Sequence, residues 1–381
     1  MKTRFAAIIP CAGYSSRMGR FKPLLRLGNL PNISRVIETV KTANPVAVHV
    51  VVGHRAHELE NVIADSEAKI IINPDYDLGM YSSIMAGVKD LASICDAFLL
   101  LPADIPLVRP ATIERLTQAA DQHPGKILYP VISGKRGHPP VIPADLIPAI
   151  LKFNGEGGLR AFLCIYENRA LDVPTADENI LFDMDTPGDY EEAIDRCAHL
   201  HVPSAIECEA VFSCIGEVSG DIVRHGSKVR EIALRICRAL NNAGACLDED
   251  VVAAAAFLHD IAKGLPDHAA AGGEMVKSLG FRRVGEIMTH HMDLPRNERR
   301  IGEAAVVYLA DKMTVKEHFV SIELRFESAL NRFGHDPEAR ESILKRKAVA
   351  EFVKKMMEAR LGHPMESLFN GMMNAQPENV S

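Results

Sequence analysis

Two short stretches of the sequence hold residue types that chemistry needs, and they lie far apart. In "FLHDIAKG", residues 257–264, His259 and Asp260 stand side by side in an alanine-rich apolar run. Neighbouring positions on a helix point about 100° apart, close enough to share a metal if other ligands converge from adjacent helices. Others of the right type exist: His225 in "VRHGSKV", His268 in "PDHAAAGG", His290 and His291 in "THHMD", and Asp311 in "YLADKM". Imidazoles and carboxylates with open coordination positions suit manganese, iron or zinc, ions that activate water for phosphoester hydrolysis. A satisfied core histidine explains any one of these residues, but hardly the whole order.

The second stretch is "PCAGYSSRMGRFKPLL", residues 10–25. Gly13 and Gly19 let the backbone approach a ligand, Ser15 and Ser16 supply hydroxyls, and Arg17 and Lys22 bring positive charge to a loop of amide donors. Those are the parts that hold a triphosphate. The spacing is neither the dinucleotide fingerprint nor the Walker pattern.

The elements around these stretches differ in rhythm. Up to about Tyr190, apolar runs such as "FAAIIP", "VAVHVVVG" and "DAFLLLPADIP" alternate with amphipathic segments such as "NISRVIETVKTA". Continuous apolar strands between helices predict a doubly wound α/β domain with a mostly parallel sheet. Such sheets bind ligands beyond the carboxyl ends of their strands, which is where the glycine loop falls. Weak periodicity from Pro203 to Gly220 marks a linker, and beyond it every pattern repeats at helical spacing, so the second half is all-α. The expected domains are residues 1–200 and 215–381. The lysine-rich helical stretch "ARESILKRKAVAEFVKKMMEAR" reads as a solvated surface helix.

Composition narrows the classes. A chain of 381 residues with 47% hydrophobic and 24% charged residues buries real cores. Its net charge of −7 offers no overall basic field for nucleic acid, and no apolar run approaches the length of a membrane span. Eight cysteines without a Cys-x-x-Cys pair, and an opening whose apolar run breaks at Pro10, too early for a signal peptide, lead us to expect a reduced, cytoplasmic protein. Cys197, Cys208 and Cys214 match no metal-binding spacing and read as packing residues.

The run Gly13-x-x-x-Arg17-Met18-Gly19-x-x-Lys22-x-Leu24 resembles the signature of the molybdenum-cofactor cytidylyl- and guanylyltransferases, and the likeness extends to about Ile194. The resemblance implies that Arg17 and Lys22 bind NTP phosphates and that Asp104, in "LPADIPLV", holds magnesium. It further implies that Gly79, Ser82 and Ser83, in "GMYSSIMAG", contact nucleotide as in the cytidylyl branch, which favours CTP. "GKRGHPPVI", "GEGGLRAFL" and "FDMDTPGD" are further landmarks. His138 can position nucleotide or acceptor, or simply pack its loop. Asp185, and less so Asp183, can complete the magnesium site, or Asp185 merely precedes the Thr186 cap. Pro10-Cys11 and "GEGGLR" depart from the family pattern and bear on base and acceptor more than on reaction class. The implied reaction is attack of a phosphorylated acceptor, such as molybdopterin, on the α-phosphorus of an NTP with loss of pyrophosphate. That needs charge neutralisation and alignment more than a nucleophilic side chain.

The order His225, His259-Asp260, His268, His290-His291, Asp311 resembles the HD-domain metal-dependent phosphohydrolases over about Gly220 to Phe319. By that resemblance His225, His259, Asp260 and Asp311 form the core metal site. His268 and His290, with His291 as the competing candidate, would serve a second ion, as in the binuclear branch, and spacing leaves the choice between the last two open. Lys263 is either a contact for substrate phosphate or a solvated helix end. The chain is thus expected to be a bifunctional transferase and hydrolase. The alternatives are transfer to a sugar or alcohol phosphate, and an HD half that senses a nucleotide without hydrolysing it.

Overall fold

A computed structural model of the chain describes residues 2–370 apart from Asp65 and Glu217. It divides into two compact units, Met1–Leu200 and His201–Ser381.

The first unit is built on a mixed sheet with strands β1 (Phe5–Cys11), β2 (Ala47–Val52), β3 (Lys69–Ile72), β4 (Ala97–Leu100), β5 (Ile127–Ile132), β6 (Val141–Pro143) and β7 (Ala170–Pro174). The spatial order is β7-β5-β6-β4-β1-β2-β3, and the two-residue strand Lys135–Arg136 pairs with β5 outside this path. Every neighbouring pair on the path is parallel except those made by β6, which runs antiparallel to both β4 and β5. All seven residues of β1 are buried, because the strand has a helix on each face. Ala7 and Ile9 pack with Ile33, Val36 and Ile37 of α1 (Asn32–Lys41) on one side. Ala6 and Ile8 pack with Ile84 and Val88 of α2 (Met80–Val88) on the other. Chain order reverses on either side of β1, so a crevice opens at the carboxyl ends of β1 and β4. Helix α3 (Pro110–Gln122) covers the sheet further along. The unit closes with α4 (Pro187–His199), where Thr186 and Asp189 form a capping box and Pro187 supplies a preset φ.

The expected linker is instead partly helical. Ser204 Oγ accepts a hydrogen bond from the Glu207 amide, and the Glu207 carboxylate accepts one from the Ser204 amide. This box starts α5 (Ala205–Ile215) inside the second unit. There follow α6 (Gly220–Asn242), α7 (Glu249–Leu258), α8 (His268–Ser278), α9 (Arg282–Met288) and α10 (Glu303–Lys312). A hairpin of β8 (Thr314–Val315) and β9 (His318–Phe319) leads to α11 (Ile322–Phe333) and α12 (Pro337–Leu361). The stripe Val229, Ile232, Ala233, Ile236 and Leu240 of α6 is fully buried at helical spacing. Each larger side chain in it contributes ~1.5–3 kcal/mol on burial. Among the described residues no helix is long and apolar enough to cross a membrane.

Two close approaches position the histidines. Gly226 on α6 lies against the end of α7, and a Cβ there would overlap the carbonyl oxygen of Phe257. Gly273 of α8 and Gly285 of α9 face each other so closely that a Cβ on either would strike the other's carbonyl oxygen. Alanine normally improves a helix interior by roughly 0.8–1.0 kcal/mol over glycine. We nevertheless expect Gly226→Ala to destabilise, because overpacking against backbone costs about 1–3 kcal/mol or more. A lower thermal midpoint for the helical unit checks this.

Candidate active sites

In the first unit the glycine loop leaves β1 and borders a cleft of about 340 Å³ together with Lys22, Gly79, Ser83 and Asp104. Ser15, in the left-handed region at φ 56°, turns the loop, and its Oγ accepts the Lys22 amide at 3.2 Å. The Met18 and Gly19 amides close onto the carbonyls of Ser15 and Ser16, and Gly19 holds φ +67°. Gly13 and Ser16 are exposed. Asn32, which sequence reasoning passed over, is fully buried at the start of α1 and donates to the carbonyl of Ala103 at 2.7 Å. It thereby ties the start of α1 to the turn that presents Asp104.

Asp104 is half-buried, and burial pushes its carboxyl above the usual range against the opposing charge of Lys22. The Met184 amide donates to the Asp104 carbonyl at 2.8 Å, bringing the "FDMD" stretch alongside. Asp185 is not free in that setting. Lys22 Nζ lies 2.5 Å from its Oδ1 and Arg17 Nη2 lies 2.7 Å from its Oδ2. The two cations expected on phosphates therefore grip the carboxylate expected on magnesium. Asp183 is exposed. Among the described residues no three ligand atoms converge in this cleft.

Gly79 holds φ +94°, a conformation costly for any side chain, at the entrance to α2. Asn73 Nδ2 donates to Ser82 Oγ at 2.8 Å and to Ser83 Oγ at 3.0 Å. Ser82 Oγ also lies 2.8 Å from the carbonyls of Asp75 and Gly79, so its hydroxyl is engaged within the protein, while Ser83 lines the cleft. His138 Nδ1 is buried with no hydrogen-bond partner among the described residues, and burial lowers the imidazole's pKa. An aromatic group that the sequence did not advertise stands at the mouth: the Tyr14 ring lies 4.9 Å from that of His54 and 5.4 Å from that of Tyr76.

In the second unit six of the seven expected residues meet. Helix α7 stops at Leu258, so the His-Asp pair lies just past its end rather than within it. The chain tightens there into three-residue turns, Ile261 N–H to the Leu258 carbonyl and Lys263 N–H to that of Asp260. His225 comes from the second turn of α6, Asp311 from α10, His268 from the first residue of α8, and His291 from just beyond α9. Asp260 sits at the centre. Its Oδ1 is 3.4 Å from Nε2 of both His268 and His291 and 3.7 Å from Nε2 of His259, and its Oδ2 is 3.9 Å from Nε2 of His225. Asp311 Oδ1 lies 3.3 Å from His225 Nε2 and 3.7 Å from His259 Nε2. Ligand atoms gather in two groups, His225 with His259 and Asp260, and Asp260 with His268 and His291, so Asp260 belongs to both.

The imidazoles are held in one tautomer. His225, His259 and His291 each place Nδ1 at 2.7–2.8 Å from a main-chain carbonyl, of Lys316, Ala256 and Met288 respectively. A carbonyl only accepts, so Nδ1 carries the proton and each Nε2 lone pair faces the centre. His259 is fully buried, and its Nε2 has no hydrogen-bond partner among the described residues. Such an orphaned acceptor costs about 1–3 kcal/mol unless something binds it. The Nε2 atoms of His268 and His291 are 3.2 Å apart, the separation of two nitrogens each about 2.1 Å from one ion. The residues present therefore fit a divalent metal. Burial lowers the pKa of both His268 and His291, the direction that favours the unprotonated form a ligand needs. Burial works to raise Asp260, but its contacts with His291 and His259 and the hydrogen bond from Lys263 outweigh it, leaving the carboxyl well below its usual range. Asp311 is likewise held down, against burial, by Lys312, Arg325 and His225.

His290 is half-buried and joins neither ligand group. The bond from His291 Nδ1 back to Met288 turns the second ring of the pair inward. We expect His291→Ala to lower metal content and His290→Ala to leave it unchanged, as elemental analysis would read. Lys263 is exposed, and its Nζ lies 2.5 Å from Asp260 Oδ2. Two cations escaped the sequence reading. Lys312 is buried, with Nζ 2.7 Å from Asp311 Oδ2 and 3.0 Å from the His291 carbonyl. Arg325 Nη2 lies 3.9 Å from Asp311 Oδ1. A cleft of about 880 Å³ opens onto His225, Asp260, Lys263, His268, Asp311 and Arg325.

Comparisons with known proteins match the same two regions. The family described as MobA-like NTP transferase domain matches residues 7–170, and the HD domain matches residues 222–316. The molybdenum cofactor cytidylyltransferase of Escherichia coli K12 is 27% identical over 194 residues, 50% of this chain and 95% of that protein. The bifunctional protein GlmU of Paraburkholderia phymatum is 32% identical over 115 residues, 30% of this chain and only 25% of GlmU. Among solved structures, a nucleotidyl transferase from Methanothermobacter is 23% identical with a TM-score of 0.44, covering 51% of this chain and 98% of that one.

Proposed function

We propose, for a chain that joins a MobA-like NTP transferase domain to an HD domain, a bifunctional enzyme: a nucleotidyltransferase using CTP and a phosphorylated acceptor such as molybdopterin, followed by a metal-dependent phosphohydrolase. In the first site an acceptor phosphate oxygen attacks the α-phosphorus and the bond to pyrophosphate breaks. Lys22 and Arg17 hold the triphosphate, leaving Asp185 for it, while Asp104 and the released Asp185 would hold magnesium, which would supply charge neutralisation for the leaving group. Gly13, Ser15, Ser16 and Gly19 present the loop's amides and hydroxyls. Gly79 and Ser83 face the nucleotide, with Ser82 supporting them from behind, and His138 borders the acceptor side. The 27% identity to a cytidylyltransferase over half of this chain supports CTP. A second reading, transfer to a sugar phosphate, draws on the stretch similar to GlmU.

In the second site His225, His259, Asp260 and Asp311 hold one divalent ion, and Asp260, His268 and His291 a second; manganese, iron or zinc would each suit these donors. A bound ion supplies a water acidic enough to attack phosphorus. The protein's own part is to aim the lone pairs of His225, His259 and His291 inward and to place Lys263 where a substrate phosphate arrives. The observation that carries this half is the carboxylate of Asp260 shared between the two ligand groups.

A panel of CTP, GTP, UTP and ATP, each with molybdopterin and with sugar phosphates, tests the transferase through pyrophosphate release. Turnover of CTP with molybdopterin is the expected result; no turnover with any pair would sink the reading, and turnover with a sugar phosphate alone would favour the second.

A further inference from the structure

The second cleft contains a cation that the ligand cluster does not require. Arg325 lies on α11, beyond residue 316 where the HD match ends. The β8–β9 hairpin folds the chain back so that this arginine reaches the end of α10 that bears Asp311. One of its guanidinium nitrogens donates to the Thr314 carbonyl, which fixes the direction of the group. The other, Nη2, is 3.9 Å from Asp311 Oδ1, beyond hydrogen-bond range. Asp311 has a closer, buried partner in Lys312 at 2.7 Å, so Arg325 is the outer of its two cations. The Arg325 side chain is 28% exposed and lines the cleft with Lys263, whose Nζ stands over Asp260.

Asp311 screens a guanidinium at this place from an ion only in part, because Lys312 draws on the same carboxylate, and a further anion between the two cations relieves their repulsion. The anion that satisfies both is a phosphoryl group, with one oxygen toward the ion and another toward the planar N–H fork. We propose that Arg325, together with Lys263, clamps the phosphoryl group of the HD-site substrate, and that this recognition comes from outside the HD region itself. The inference rests on the hydrolase reading above. The cleft of about 880 Å³ suits a nucleotide-sized ester more than inorganic phosphate alone.

The test uses the full chain loaded with manganese and carrying Lys22→Ala, so that the transferase loop does not bind the probe. Inorganic phosphate is titrated calorimetrically into this parent and into the same chain with Arg325→Ala or Arg325→Lys, and manganese is counted in each. Expected are unchanged manganese, phosphate affinity lowered roughly 10- to 100-fold in Arg325→Ala, and partial recovery in Arg325→Lys, which restores charge without the fork. Parental affinity in Arg325→Ala would overturn the proposal. Loss of manganese in that variant would also overturn it, by assigning Arg325 to the ligand cluster instead. A parent that retains no manganese would remove the hydrolase reading itself, and the clamp with it.

Discussion

Asp260→Ala is expected to empty the helical unit of metal and to abolish phosphoester hydrolysis, with activity falling more than ~100-fold, since even residues that only support metal ligands cost 10–100-fold when removed. Asp260 is the one residue common to both ligand groups, with Oδ1 3.4 Å from the His268 and His291 nitrogens and Oδ2 3.9 Å from that of His225. Its loss leaves Asp311 as the one carboxylate beside the imidazoles, on the His225 and His259 side, and strips the His268 and His291 group of its negative charge. His268→Ala, by contrast, touches only one group. Elemental analysis beside hydrolysis of a generic phosphoester distinguishes the two variants, and circular dichroism checks that both fold. Full metal content in Asp260→Ala would mean that Asp260 does not join the two ligand groups around metal.

Asp104→Ala should reduce nucleotidyl transfer by ~10²–10³-fold, the scale of losing one preorganised electrostatic contact in a water-poor site. Hydrolysis by the HD half should be unaffected. The argument is geometric. Asp104 follows β4 at the point where strand order reverses, and it is held there by the Met184 amide on its carbonyl and by Asn32 on the carbonyl before it. Burial raises its pKa, so ionisation at this position is costly without a cation beside it. Lys22 is one such cation and magnesium would be a second. Pyrophosphate release and phosphoester hydrolysis measured on the same preparation provide the check. A joint loss of both activities in a folded protein would mean that the two halves do not work independently.

Much of the fold was legible because burial on both faces writes itself as unbroken apolar strands, as in "FAAIIP" and "DAFLLL". The glycine loop stood out because it combines glycines, hydroxyls and two cations that an ordinary turn does not need. The histidines and aspartates that gather in the second unit were legible as an ordered set and not as geometry. Spacing placed His259 and Asp260 on a helix, but α7 ends one residue earlier. Spacing also offered no choice between His290 and His291, which a main-chain hydrogen bond decides. Helix α5 was missed because its apolar residues have no clear stripe, although the box Ser204-x-x-Glu207 announced its start. The grip of Arg17 and Lys22 on Asp185 joins residues more than 160 positions apart, as Asp185 and Lys22 differ by 163. Only the folded chain reveals a pairing of that kind.

The crossing of Gly273 and Gly285 bears on how sequences of this type are judged. Two hydrogen atoms, where any other residue would carry a carbon, let α8 and α9 touch backbone to backbone. Those helices deliver His268 at the start of one and His291 beyond the end of the other. A related sequence could keep every histidine and aspartate and still hold these two nitrogens apart if a bulkier residue stood at either glycine. The ligand inventory records what can bind; the glycine pair sets the distance over which it binds, and a search for working members of such a group has to weigh both.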